Sequence, residues 1–426
     1  MKENLLHFLW QNLLFDTSNI TSEDNSQIQI IKRGTYNTDS GPDFLNAKIK
    51  INDTIWAGNI EIHVKSSDWH SHNHHKDINY NNTILHVCWE YDKPAYRKDG
   101  TEITCITLKK RVKSNLLDRY THLMNNKNII PCSFFIKSID ELTWKMWEER
   151  MLIERLENKT SEIFKTLEKC KNDWHQAFYE KIAWSFGLKI NAETFQNLAI
   201  NIPIKILSIH KNNLTQIEAM LFGTAGFLNF DKDDDYYRKL QKEYIFLKHK
   251  YKLDEISNTK WKLLRLRPAN FPTVRIAQFA NLIHKAENMF SKILENPNIK
   301  FIETLLKSGT SEYWKKHYNF GVKSTIKQKS TGDFFIYNTI INTIVPFVFA
   351  YGKYKDDEVL KEKAISILNN LTAEKNSIIT KWKELGFDPK NSFQTQAILQ
   401  LNNEYCNNYK CLNCSIGFKI LKNGTN

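Results

Sequence analysis

No stretch of this sequence is both long enough and clean enough to read as a membrane span, and no period repeats along it. The most apolar window, Phe334 to Tyr351, is 18 residues long and contains Asn338, Asn342 and Pro346. Those polar groups would be unsatisfied in lipid, so the window is expected to be a buried, proline-interrupted helix and no membrane contact is expected. The opening MKENLLHFLW carries Glu3 and His7 and is too short and polar for a secretory segment. Seven cysteines, an odd number without an export signal, point to a reducing cytoplasm rather than a disulfide framework. The missing repeat argues against a solenoid.

A chain of 426 residues, 41% of them hydrophobic, is long enough for two or three domains with sizeable cores. Its 60 Lys and Arg against 47 Asp and Glu give a net charge of +13, which suits a polyanionic partner such as DNA or RNA. A composition rich in Asn, Lys and Ile also arises from AT-rich coding, so position matters more than the total. From Arg238 to Arg267 there are ten basic residues, Lys248 and Lys250 among them, against three acids, interleaved with Tyr244, Phe246, Tyr251 and Trp261. Such residues can neutralise phosphates and stack on bases; a solvated helix with its aromatics in a core gives the same pattern. In RLRPANFPTVRIAQFA, Arg265, Arg267 and Arg275 surround two prolines before a helix starting near Thr273. A helix N-terminus suits an anion, although prolines also simply begin helices.

The pattern changes near residue 130, giving expected domains of 1–130 and 131–426. Before it, a helix over 4–14 precedes strands at Gln27–Lys32, Leu45–Ile51, Thr54–Lys65 and Thr83–Glu90, then one near Glu102–Leu108 after the Asp99-Gly100 turn. This predicts a small α/β domain with a mixed sheet. After it, helical periodicity predicts a larger all-α domain. Its first helix is capped by Ser138 or Asp140, and others lie at 173–186, 214–222, 274–295, 335–350, 357–372 and 374–385.

Alternate residues of a strand share a face, so Glu61, His63 and Lys65 point together, away from Ile60, Ile62 and Val64. Asp43, 18 residues upstream, begins the neighbouring strand, and a hairpin brings it beside Glu61. Two carboxylates with the Ile62 carbonyl make an oxygen-rich site for Mg²⁺ or Mn²⁺, with His63 or Lys65 to position a water and stabilise a phosphate transition state. An ordinary polar strand face would carry the same residues.

Pro42-Asp43, a strand, and Glu61-Ile62-His63 within a helix–β–β–β–connector–β order resemble the PD-(D/E)XK nuclease superfamily. The resemblance implies a restriction-endonuclease-like fold and a metal-dependent nuclease. It implies metal ligands at Asp43 and Glu61, and Glu3 on the first helix as an accessory acid. His63 stands where Lys is usual, with Lys65 one step further along the face. The alternative is a catalytically inactive module that binds nucleic acid or protein on the same fold. Across the chain, GPDFLNAKIKI, WAGNIEIHVKSSDW, LRPANFPTVRIAQFA and INTIVPFVFAYGK resemble an uncharacterised bacterial family, domain of unknown function 2851, which implies no activity.

Two further clusters stand out. Residues 69–77, WHSHNHHKD, pack four histidines into six positions between His63 and His86. They read as a bland loop, as a Zn²⁺ site, or as an overhang that brings His72, His74 or Asp77 onto a phosphate. The tail holds Cys406, Cys411 and Cys414 in C-x4-C-x2-C spacing, with Cys132 as the candidate fourth ligand. Four thiolates suit Zn²⁺ or an iron–sulfur cluster, the latter similar to the staple of some helicase-associated nucleases.

Overall fold

Period-two apolar spacing in the first third of the chain builds a sheet that begins antiparallel and ends parallel. The computed structural model describes residues 1–264 and 266–424. Helix α1 (Glu3–Asn12) precedes strands β1 (Gln27–Lys32), β2 (Phe44–Ile51), β3 (Thr54–Lys65), β4 (Thr83–Glu90) and β5 (Cys105–Thr107). The sheet runs β1-β2-β3-β4-β5, with Ile20–Thr21 beyond β1 and Thr35–Tyr36 also pairing with β2. β1, β2 and β3 pair antiparallel, whereas β3–β4 and β4–β5 are parallel. A parallel pair needs a crossover. The connector after β3 supplies it as helix α2 (Asp68–Ser71) and two 3₁₀ turns, His74–Lys76 and Ile78–Tyr80.

β3 is therefore central, and both of its faces are covered where it matters. Ile60, Glu61, Ile62 and His63 are all buried, while Lys65 emerges into solvent. The face expected to be polar and open lies under a roof. The crossover carries a small apolar core of Trp69 and Tyr80 with Ala95 and Ile103, and Trp69 Nε1 donates to the Tyr96 carbonyl at 2.9 Å.

One irregularity sets the geometry. Ala47 pairs with Gly58, but Phe44 pairs with Ile60, so Leu45 and Asn46 together oppose Asn59. Asn46 takes the left-handed backbone conformation (φ 57°), which asparagine tolerates well, and its N–H donates to Asn59 Oδ1 at 3.2 Å. In an unbroken register Asp43 would face Ile62, on the apolar side. The extra residue turns it to face Glu61 instead.

Inter-residue contacts divide the chain into one unit of Met1–Trp147 with Leu401–Asn426 and a second of Glu148–Gln400. The change of pattern near residue 130 thus lies inside the first unit, and the cysteine-bearing tail belongs to that unit. The helix Glu141–Lys169 begins where Asp140 Oδ1 accepts the Thr143 N–H at 2.8 Å. The second unit is mostly helical rather than all-α. Its aromatic core includes Phe186, Phe195, Phe222, Phe279, Trp314 and Phe347, but His317–Asn319 and Val322–Lys323 form a small hairpin turned by Gly321 (φ 76°).

The predicted helix 274–295 is two helices, Pro272–Lys285 and Met289–Glu295, broken where Asn288 turns left-handed. Helix Asp333–Lys355 is long and apolar enough to cross a membrane, yet 72% of its most apolar window is buried within the protein. It accommodates Pro346 by widening to a π turn at Ile340–Ile344, which relieves the backbone that a proline cannot bond.

Candidate metal site on the sheet

Four segments bring acids and imidazoles to one place: α1, the start of β2, the middle of β3, and the crossover. Asp43 and Glu61 lie opposite one another and lock reciprocally. The Asp43 N–H donates to Glu61 Oε2 at 3.0 Å, and the Ile62 N–H donates to Asp43 Oδ2 at 2.9 Å. Each carboxylate keeps its other oxygen free of these bonds. Glu61 Oε1 lies 3.2 Å from His74 Nε2 and 3.7 Å from His63 Nε2.

The imidazoles form a chain. His63 Nδ1 is 2.8 Å from His86 Nε2, on the parallel neighbour β4, so one ring donates and the other accepts. His63 Nε2 is 3.2 Å from His72 Nδ1 in the crossover. His74 stacks on Tyr80 with ring centres 3.9 Å apart. His63, His72 and His74 each offer a nitrogen, all within 4.8 Å of one another, an arrangement able to hold a metal ion. His63 is buried, His74 half-buried and His72 exposed, so the trio leads from the sheet towards solvent.

Electrostatics follow from burial. Desolvation first, then the neighbouring Asp43 charge, hold the Glu61 carboxyl well above the usual carboxylate range. Desolvation followed by the surrounding imidazoles drives His63 and His86 far below the normal histidine range, so both rings are neutral. Neutral imidazole is the form that binds metals. His7, on α1, behaves differently: burial opposes its charge, but Asp43, Glu3 and Glu61 together outweigh burial and raise it. Its Nε2 sits 3.2 Å from Asp43 Oδ2, at ion-pair distance but outside hydrogen-bond alignment, and it has no other hydrogen-bond partner.

Glu3 lies one helical turn before His7. It is half-buried and raised by desolvation, and it senses His7, Asp43 and His72. The structure therefore brings Glu3, Asp43, Glu61, His63, His72 and His74 together. Sequence reasoning passed over His7 as a site residue. The i, i+4 spacing of Glu3 and His7, which puts both on one face of α1, was the available signal. It also passed over Tyr36, whose hydroxyl is 3.4 Å from His7 Nδ1.

Other expected residues fall elsewhere. Lys65 lies past the buried part of β3, exposed, and its charge acts on Asp92 rather than on Glu61. Asp77 caps a 3₁₀ turn, accepting the Asn79 N–H at 2.9 Å. Arg275 is 7% exposed, with its guanidinium 4.9 Å from the Phe335 ring and bonded to Asn270 and Gln278; the apolar face of its own helix takes it inward, away from any strand of nucleic acid. Arg265 lies outside the described residues, and Arg267 is exposed. Lys248 is 2.5 Å from Glu255, and Lys250 reaches over Tyr251. Tyr244 and Trp261 are core residues and Tyr251 is half-buried, which leaves Phe246, 63% exposed, as the open aromatic of the four.

The arrangement defines a class: a mixed-sheet protein with a buried carboxylate–imidazole centre that opens through a histidine-rich crossover. The chain belongs to the family described as "Protein of unknown function (DUF2851)", whose family model matches residues 3–377. No curated protein and no solved structure matches the chain.

Proposed function

We propose that the chain is a divalent-metal-dependent phosphodiester hydrolase acting on DNA or RNA. The observation that carries this reading is the meeting of Asp43 and Glu61 with the nitrogens of His63, His72 and His74. The order of helix, antiparallel strands, crossover and parallel strand supports a likeness to the PD-(D/E)XK superfamily, with His63 in the usual lysine position. The net charge of +13 supports a polyanionic substrate.

The residues fit a metal. The carboxyls of Asp43 and Glu61 lie among imidazoles, Glu61 Oε1 being 3.2 Å from His74 Nε2 and 3.7 Å from the neutral His63 ring. A dication would balance the Glu61 carboxyl, which burial and then the Asp43 charge hold well above the usual carboxylate range. Mixed nitrogen and oxygen donors suit Mn²⁺ or Zn²⁺ better than Mg²⁺. Bound there, the ion would supply positive charge for a phosphate and acidify a water.

The chain's own groups do the rest. The Ile62 N–H fixes Asp43, and the Asp43 N–H fixes Glu61 Oε2, so both carboxylates are preorganised. His86 orients the His63 ring as a partner behind it. His72, the exposed imidazole, reaches the site from its solvent side.

The test is cleavage of end-labelled single- and double-stranded DNA and RNA with Mg²⁺, Mn²⁺ or Zn²⁺, comparing wild type with Asp43→Asn and Glu61→Gln. Metal-dependent cutting that falls at least ~100-fold in both variants supports the hydrolase. A second reading, a binding module without chemistry, draws on the position of Lys65 outside the site. Tight nucleic-acid binding with no cutting under any metal would favour that module and overturn the hydrolase.

A further inference from the structure

Apart from the sheet site, four buried thiols lie on segments of the first unit that pack against one another. Cys132, Cys406, Cys411 and Cys414 are each 7–8% exposed, and none forms a disulfide. They are mutual electrostatic neighbours: Cys132 senses Cys414 and Cys411, while Cys406 senses the other three. The segments that carry them are packed together. Tyr409 OH donates to the Asn126 carbonyl at 3.0 Å, and Asn126 Nδ2 donates to the Pro131 carbonyl at 2.8 Å. Arg119 donates to the Ile420 carbonyl at 2.8 Å, and Lys419 lies 3.0 Å from Asp140.

The local backbone is shaped around the sulfurs. Cys406 ends a π turn, Leu401–Cys406, a rare conformation frequently found at functional positions. Cys411 opens a 3₁₀ turn, and a Cβ on Gly417 would come within 2.1 Å of the Cys411 carbonyl oxygen, so only glycine lets the tail close this tightly. Cys414 stands at the N-cap of helix Ser415–Lys422, where the Ile416 and Gly417 N–H groups face its sulfur without closing a full hydrogen bond.

We propose that Cys132, Cys406, Cys411 and Cys414 hold a structural metal centre of four thiolates, either one Zn²⁺ or an iron–sulfur cluster. The four thiols are buried and unbridged, and a cation coordinated by all four ties the tail to the segment after α3 (Ser114–Asn125). The whole second unit lies between Cys132 and Cys406 in sequence, so this bond closes a very long loop, where a cross-link restricts the unfolded chain most. The inference does not depend on the function proposed for the sheet site.

The test is metal and sulfide analysis of full-length protein purified anaerobically without chelators, with the visible spectrum and a Co²⁺-exchange spectrum. About one zinc and, after exchange, strong thiolate-to-cobalt charge transfer identifies the zinc form; about four irons with acid-labile sulfide and broad visible absorption identifies the cluster. The imidazole and carboxylate site gives neither signature. Cys406→Ser and Cys414→Ser are expected to lose the signal, while Cys170→Ser keeps it. Should those variants not fold, alkylation of wild type decides: the metal shields four thiols until it is stripped. Protein without either signature, whose four thiols react equally before and after chelation, would overturn the proposal.

Discussion

His63 Nδ1 and His86 Nε2 face each other at 2.8 Å across two parallel strands, and a single proton must serve their bond. That pairing fixes the His63 ring with Nε2 directed at His72 and Glu61.

The first expectation concerns this support. His86 makes no side-chain hydrogen bond or ion pair with Asp43 or Glu61, yet replacing it frees the His63 ring. His86→Ala is expected to weaken metal binding ~10–100-fold, the usual cost of losing a partner behind a ligand. Calorimetric titration with Mn²⁺ or Zn²⁺ checks it. An unchanged affinity would remove His63 from the ligand set.

The second concerns the bulge. Asn46 holds a left-handed conformation that a β-branched residue resists, so Asn46→Val is expected to cost about 1–2 kcal/mol, whereas Asn46→Gly should be nearly neutral. Urea denaturation measures the stability. Metal titration of the same variants shows whether Asp43 still meets Glu61 when the bulge is strained.

The third is a pH effect in the second unit. Glu218 is 1% exposed; its Oε2 accepts from Tyr236 OH at 2.7 Å and its Oε1 has no partner. Burial raises its pKa from 4.5 to about 7. Between those values the native chain keeps a proton that the unfolded chain has lost, so stability falls as pH rises through this window, by up to about 3 kcal/mol. Glu218→Gln should flatten that slope and raise the melting temperature at pH 8. Melting curves from pH 4 to 8.5 that are parallel for the two proteins would rule the effect out.

Much of the fold was legible because its signals are local. Alternation marked Thr54–Lys65, an apolar run marked Thr83–Glu90, and of the two expected caps, Ser138 and Asp140, it is Asp140 that begins the helix. Asp43 and Glu61 were found for the same reason, a strand face and a short hairpin. What escaped depends on contacts remote in sequence. Period two says which residues share a face, but not that the crossover buries that face, so Lys65 was grouped with Glu61 and His63 although it ends in solvent. The bulge at Leu45–Asn46 carries no strong sequence mark beyond an asparagine. Arg275, read as a candidate anion contact beside a helix N-terminus, packs instead against Phe335, 60 positions away. His7 was hidden inside a short apolar helix whose partner strand is not its neighbour in the chain.

The first unit is discontinuous, and that orders its birth. Leu401–Asn426 leaves the ribosome only after all of Glu148–Gln400 has been synthesised. The first unit is therefore completed only after the second has been synthesised, and the proposed thiol ligands are made at opposite ends of that interval.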